Sequence, residues 1–334
     1  MGGNALAPFG AKRVSKERYA ELKKEIFPLL QSIEGFHGWA EIPYLPCKDS
    51  FGDMDIVFTN KGGVVFDKVL EVFGNPPHVY NSNVLSVLFK ELQVDLIHMP
   101  PEDYSSCLDY FSYNDLGNLI GKIYHKFGLK YGHRGLVLPL RDSDNTDHHF
   151  GELLISKDHK DIFEFLGLDY VTYLNGFQTF EEMFDYVMSS KYFDPKLYAF
   201  ENMNSIARVR DKKRSTYNYF LKYIKGSTGN LSETWKVDKY EYIPVIFDYF
   251  PEAYNRYLLA MEKLQHSLKI KAKFNGGLIG EYTGLSGIEL GHFMRHIKTQ
   301  IEVSDEWILK SSDAEIKVWV DNLFRNWYKL YVVI

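Results

Sequence analysis

The residues with the clearest chemical content lie in Lys48-Asp49-Ser50-Phe51-Gly52-Asp53-Met54-Asp55-Ile56-Val57-Phe58. Asp53 and Asp55 sit two apart in a segment of β character, and residues i and i+2 of a strand point to one face. Two carboxylates held that close repel one another, and a bound divalent cation relieves the repulsion. Gly52, just before them, lets a ligand approach the backbone. A third carboxylate, Asp95, is embedded in the apolar run Val94-Asp95-Leu96-Ile97, where an unpaired charge is costly. Three carboxylates converging from two strands can hold two Mg²⁺ ions about 3.5–4 Å apart, which suits phosphoryl transfer. All-oxygen ligands favour Mg²⁺ or Mn²⁺ over zinc. By itself, an Asp-x-Asp at a strand edge is more often a solvated turn.

The elements that must position these groups follow from patterning. Ser15–Glu34 reads as an amphipathic helix with Ser15 as N-cap, apolar Tyr19, Leu22, Ile26, Leu29 and Leu30 on one face, and Gly35 as its stop. Pro28 should kink or break it. Short β-type runs at Asp55–Phe58, Asn83–Phe89 and Leu92–Met99, a turn at Asn60-Lys61-Gly62-Gly63 and a helix at Val65–Phe73 suggest a sheet domain with flanking helices. Helices are expected at Pro101–Phe111, Asp115–Phe127 and His159–Leu166, with a β-type run at Gly135–Leu140. Arg141–His149 reads as a polar loop. Its His148-His149 pair lacks a third ligand at zinc-like spacing, so solvation is the better reading. From Thr179 onward the pattern is mostly helical, and Thr179 with Glu182 and Ser312 with Glu315 fit capping boxes.

The chain has 334 residues, 45% of them apolar and 25% charged, with formal net charge −5. That is globular composition and excludes a disordered or fibrous chain. Two cysteines, Cys47 and Cys107, exclude a disulfide framework or a four-thiolate zinc site and suggest a reducing, cytoplasmic setting. No run approaches the roughly 18 apolar residues of a membrane helix, so no membrane association is expected.

Ser50-Phe51-Gly52-Asp53-Met54-Asp55-Ile56-Val57 resembles the metal-binding palm motif of DNA polymerase beta and its family X relatives. Val94-Asp95-Leu96-Ile97 is similar to the strand bearing that family's third aspartate, and Tyr110-Phe111-Ser112-Tyr113-Asn114-Asp115-Leu116-Gly117-Asn118 follows at the family's spacing. The resemblance runs from Trp39 to Tyr170. It implies an α+β fold: a nucleotidyltransferase palm with a mixed sheet and flanking helices over 1–100, a thumb-like nucleotide-binding segment over 101–175, and a mostly helical domain over 176–334. It further implies that Asp53 and Asp55 bind both metals, while Asp95 binds the catalytic metal and helps activate a 3′-hydroxyl. Tyr110 and Phe111 would line the sugar of the incoming nucleotide, Asp115 and Asn118 would sit against its base, and Lys122 would monitor a template pair.

The chain departs from that family in three places. The Gly-Ser turn that holds the triphosphate is replaced by Ile42-Pro43-Tyr44-Leu45-Pro46, leaving Lys48 and Ser50 as candidates for phosphate contact. Tyr113 stands where the family has a glycine. The short stretch ahead of the palm leaves no room for a lyase domain or duplex-gripping fingers.

Glu201–Lys225 holds seven basic residues against two acidic ones. With Arg208, Arg210, Lys212, Lys213 and Arg214, and with Tyr217, Tyr219 and Tyr223 interleaved, it reads as a cationic helix suited to a nucleic-acid backbone. A solvated helix face with inward tyrosines is the equal alternative from the residues alone. The glycine-punctuated Lys273–Met294 resembles the tail signature of CCA-adding enzymes and bacterial poly(A) polymerases; a helix-hairpin-helix or a plain glycine turn fits nearly as well. Together these features lead to the expectation of a metal-dependent nucleotidyltransferase. It would add a nucleoside monophosphate from a nucleoside triphosphate to a polynucleotide 3′-hydroxyl, template-independently on a tRNA-like RNA end. The rivals are a reduced family X DNA polymerase filling gaps and an inactive nucleic-acid-binding relative.

Overall fold

The computed structural model describes residues 5–33, 37–60, 66–142, 145–230, 234–299 and 304–331, with side chains at 37, 142, 145–149, 330 and 331 excepted. The first elements are β1 (Val14–Ser15), α1 (Lys16–Gln31), β2 (His37–Glu41), β3 (Ser50–Phe51), β4 (Asp53–Thr59) and α2 (Phe66–Val72). Then come β5 (His78–Asn81), β6 (Val84–Phe89), β7 (Leu92–His98), α3 (Pro101–Phe111) and α4 (Leu116–Lys126). The middle of the chain holds β8 (Lys130–Gly132), β9 (Gly135–Asp142), β10 (Asn145–Ser156), α5 (His159–Phe165), α6 (Tyr170–Asn175) and α7 (Phe180–Met188). After α8 (Ser205–Lys212) and α9 (Ser215–Tyr223) the helices are α10 (Ile243–Tyr249), α11 (Pro251–Lys273), α12 (Gly276–Thr283), α13 (Gly287–Lys298), α14 (Asp305–Lys310) and α15 (Asp313–Tyr331). The fold is α+β, with a mixed five-stranded sheet and a helical C-terminal part.

That sheet has the order β2-β4-β7-β6-β5, in which only β4 and β7 run parallel. Strand alternation decides what each face carries. Met54, Ile56 and Phe58 of β4, with Val94 and Leu96 of β7, pack with Tyr19, Leu22, Ile26 and Leu30 of α1 and Phe66, Val69 and Leu70 of α2. On the opposite face, Val57 and Ile97 join Cys107 and Leu108 of α3. By the same alternation Asp53, Asp55 and Asp95 lie on this second face. Helix α1 starts on the expected cap, with the Arg18 amide donating to Ser15 Oγ at 3.3 Å. It runs through Pro28 and ends at Gln31, since a proline this near the C-terminus removes few ladder bonds. Gly35, the turn residues 61–63 and the side chains of His148 and His149 lie outside the described residues.

Two expectations are corrected. Arg141–His149 is not a loop: most of it belongs to β9 and β10, and its polarity hid strands that no apolar alternation announces. The basic segment is two helices, α8 and α9, with Arg214 as the N-cap of the second. The Ser312 box closes reciprocally, whereas at Thr179 the glutamate reaches the amide before the cap. Glu182 N–H donates to Thr179 Oγ1 at 3.2 Å while Glu182 accepts from the Gln178 amide. Ser312 and Glu315 satisfy one another's amides at 2.7 and 3.3 Å.

The chain divides into two compact units, 1–139 with 152–253 and 140–151 with 254–334. In the second unit, Ile279, Phe293, Ile297, Ile308, Ile316 and Val320 form a core. There α12 ends on Gly284 at φ +71° and α13 begins at Gly287 at φ +55°, a helix–turn–helix punctuated by glycine as the sequence implies. The tight glycine is Gly280, where a Cβ would lie 3.1 Å from the Leu285 carbonyl, whereas one at Gly291 would meet only the Arg295 guanidinium at 3.9 Å.

Candidate metal centre and nucleotide cleft

Parallel register sets Asp55 directly beside Asp95, and Asp53 beside Gln93. One ligand oxygen from each of Asp53, Asp55 and Asp95 lies within 4.8 Å of the others. Asp55 Oδ1 is sealed from solvent and has no hydrogen-bond partner among the described residues. Burial raises the Asp55 carboxyl well above the usual range, and the negative charges of Asp53 and Asp95 push it the same way. Asp95 is likewise raised, first by burial and then by Asp53, while hydrogen bonds from Ser86 and Gln93 pull it back. Gln93 Nε2 donates to both Asp95 oxygens at 2.9 and 3.1 Å, and Gln93 Oε1 accepts the Leu6 amide at 3.1 Å. Ser86 stands opposite Asp95 on the other neighbouring strand.

This geometry fits a hard divalent cation. All donors are carboxylate oxygens, one is orphaned, and the centre carries concentrated negative charge that a bound cation relieves. Lys48 lines the same cleft and makes contacts of its own there. Its Nζ donates to Asn114 Oδ1 at 3.4 Å and lies 4.8 Å from the Phe51 ring centroid. Burial lowers its pKa, although Asp53 and Asp55 act to raise it.

Asp53 and Asp55 open into a cleft of about 220 Å³ lined by Tyr19, Tyr44, Lys48, Phe51, Tyr110, Phe111, Asn114, Asn118, Arg210 and Arg214. Its aromatic wall is built by α1 and β3: the rings of Tyr19 and Phe51 stack at 4.0 Å, with Tyr44 edge-on to both. Tyr19 is fixed by donating to Glu41 Oε1 at 2.6 Å. Opposite stand Tyr110 and Phe111, the last turn of α3, edge to face at 5.0 Å. The chain then turns through Tyr113 and Asn114 at φ +58° and +62°. Tyr113 thus occupies a left-handed position that favours glycine. Its ring packs edge-on against Phe177 at 5.0 Å and Tyr173 at 5.8 Å, which offsets the strain.

Of the other expected residues, Asp115 is buried and ion-paired with Arg214. Asn118 reaches the cleft with its Oδ1 accepting from Arg210 Nη2 at 2.7 Å. Lys122 is not in this cleft: its Nζ is bound to Asp211 Oδ2 at 2.6 Å. Ser50 Oγ accepts from Arg13 at 3.1 and 3.3 Å, and the Arg13 guanidinium also covers Gly52, where a Cβ would meet Nη1 at 3.1 Å. The phosphate contact expected of Ser50 and the ligand approach expected at Gly52 therefore have Arg13 beside them.

The basic segment divides by position. Arg210 and Arg214 line the cleft. Arg208 donates to the Met203 carbonyl at 2.8 Å, and Lys212 lies over the Phe200 ring at 5.7 Å. Lys213 is the exposed C-cap of α8. Tyr217 is fully buried, whereas Tyr219 and Tyr223 are partly exposed and donate to Glu181 and Asp185. Sequence reasoning passed over Asp211, which is wholly buried and gathers Arg210 at 2.7 Å, Lys122 at 2.6 Å and Arg214 at 3.9 Å. Burial alone would raise its carboxyl, but hydrogen bonds from Arg210 and Lys122 outweigh it and leave the pKa lowered. A lone acidic residue in a basic run was the available signal. Tyr19, Tyr44, Gln93 and Arg13 carried no comparable mark.

No protein-family model matches the chain, and none of the curated proteins compared with it does either. Among the described residues no helix is long and apolar enough to cross a membrane.

Proposed function

We propose that the chain is a metal-dependent nucleotidyltransferase of the polymerase beta type, transferring a nucleoside monophosphate from a nucleoside triphosphate to a polynucleotide 3′-hydroxyl. The observation that carries this reading is the carboxylate trio across the β4–β7 ladder, with its orphaned Asp55 oxygen, beside a cleft of aromatic and cationic side chains. Asp53, Asp55 and Asp95 would hold Mg²⁺, with Mn²⁺ as a substitute. Bound there, divalent ions would neutralise charge on the phosphoryl oxygens during in-line displacement.

The chain's own residues do the rest. Asp95, fixed by Gln93 and Ser86, orients the attacking hydroxyl and accepts its proton at a carboxylate oxygen. Lys48, Arg210 and Arg214 supply positive charge for the triphosphate, the arginines as planar donors and Lys48 as a point charge. Tyr110 and Phe111 offer a flat surface to the sugar, and Asn118 an amide to the base. Positioning and electrostatics suffice for such a reaction, because phosphoryl transfer needs little covalent help from protein. We favour a template-independent RNA 3′ end as acceptor, because Lys122, the residue that would monitor a template pair, is engaged by Asp211, and the glycine-punctuated turn between α12 and α13 lies where the sequence resembles the tail of CCA-adding enzymes.

Incubation with Mg²⁺, labelled nucleoside triphosphates and a panel of primers tests this. Untemplated incorporation on RNA is the expected result. Dependence on a gapped DNA template would replace the RNA reading with a gap-filling polymerase. Absence of turnover on every primer, with polynucleotide affinity unchanged in Asp95→Asn, would leave an inactive binder.

A further inference from the structure

A second cavity, of about 370 Å³, adjoins the cleft and shares Tyr110, Asn118 and Arg210 with it. Its floor is one stripe of α4. Gly117, Asn118, Gly121, Lys122, His125 and Lys126 all line it, at the i, i+4, i+8 spacing that places residues on one helix face. From Asn118 to Lys126 the stripe is about 12 Å long.

Its charge is one-sided. The lining contains Lys122, Lys126, Lys130, Arg210 and Lys239 and no carboxylate residue. Some of these cations have protein partners, Lys122 and Arg210 in Asp211 and Lys130 in Glu152. Lys126 has none among the described residues. Leu129, Leu197, Met203 and Ala207 add an apolar wall. An anionic ligand with flat apolar parts fits that combination, and a phosphodiester strand with its bases is such a ligand.

The two glycines differ in purpose. A Cβ at Gly117 would lie 2.4 Å from the Tyr110 carbonyl, so that glycine serves helix packing. A Cβ at Gly121 would meet nothing within 4 Å. Its side is open because the cavity lies there, although a glycine inside a helix is unfavourable by about 1 kcal/mol relative to alanine.

We propose that this cavity seats the last nucleotides of a single-stranded polynucleotide, with the strand lying along α4 and its 3′ end delivered past Tyr110 and Asn118 to the carboxylates. The inference deepens the nucleotidyltransferase reading and rests on it for the strand's polarity, but the binding itself is independent of catalysis.

The test uses the full chain, fluorescein-labelled single-stranded RNA and DNA 12-mers read by anisotropy, and Mg²⁺-ATP binding read by calorimetry. Gly121→Leu, whose Cβ would meet nothing within 4 Å, projects its side chain into the cavity. It should weaken oligonucleotide binding at least tenfold and leave Mg²⁺-ATP affinity unchanged. Lys126→Glu, a surface change that does not threaten folding, should also weaken it and lower the slope of log affinity against log salt by about 1. The RNA and DNA arms identify which strand is preferred. Failure of the parent to bind either 12-mer, or unchanged affinity in both variants, overturns the proposal. If the variants behave as expected and no primer is ever extended, the strand site stands and the enzymatic reading falls.

Discussion

Asp55 and Asp95 face one another across the sheet's single parallel ladder, at matched register, and Asp55 Oδ1 has no hydrogen-bond partner among the described residues. A buried acceptor left unsatisfied costs about 1–3 kcal/mol, and a neighbouring like charge adds to it. A protein with these groups and no cation is therefore destabilised at the place where a cation would bind.

Neutralising one member should show this. Without divalent ions, Asp55→Asn should be more stable than the parent by on the order of 1 kcal/mol in urea unfolding. With Mg²⁺ in millimolar excess the order should reverse, because ligands that bind only the folded state stabilise it by mass action. A variant less stable than the parent in EDTA would mean that the trio is not under the strain described.

The two α4 glycines should respond to alanine with opposite signs. Gly117→Ala forces a methyl group against the Tyr110 carbonyl, and such overpacking costs about 1–3 kcal/mol. Gly121→Ala enters open space and should stabilise the helix by up to about 1 kcal/mol. Thermal melts of the pair check both signs together.

Asp211 gathers three cations inside the fold. Asp211→Asn leaves Lys122, only 13% exposed at its side chain, without its counter-charge, and losing one partner of a buried ion pair costs about 3–5 kcal/mol. Chemical denaturation should show a loss of that size. Because Arg210 also orients Asn118, the nucleotide affinity of a folded Asp211→Glu variant should fall as well.

Acid stability should depend on His159. Burial lowers its pKa to about 4 from 6.5, with its ring beside Tyr131, Asp109 and Asp158. The folded pKa lies below the unfolded one, so the unfolded chain binds the extra proton. The contribution is whole above pH 6.5 and is lost as pH falls toward 4, on the order of 3 kcal/mol in all. The difference between parent and His159→Gln stability should vanish progressively over that window; a difference flat with pH would refute it.

The sheet and its acidic trio were legible because they rest on local rules. Asp53-Met54-Asp55 alternates as strand residues do, and Asp95 stands out as a charge in an apolar run. Pro101–Phe111 shows helical spacing and begins on a proline, and the structure has α3 at those bounds. The cleft's walls were less visible because they depend on tertiary placement. Tyr19 looks like any apolar-face residue of α1, yet its hydroxyl reaches Glu41 and its ring floors the cleft. Arg210 and Arg214 belong to a basic run whose sequence marks no cleft; in the structure they pair with the buried Asp211 and line the cleft. Strands β5 and β10 escaped because exposed edge strands and polar strands lack apolar alternation.

Counting bound Mn²⁺ by electron paramagnetic resonance, with a non-hydrolysable nucleoside triphosphate present, tests the metal-centre claim most directly. The parent should retain two Mn²⁺ ions per chain, and Asp53→Asn, Asp55→Asn and Asp95→Asn should each lose at least one. Mn²⁺ retained equally by the parent and all three variants, or by none of the four proteins, would contradict it.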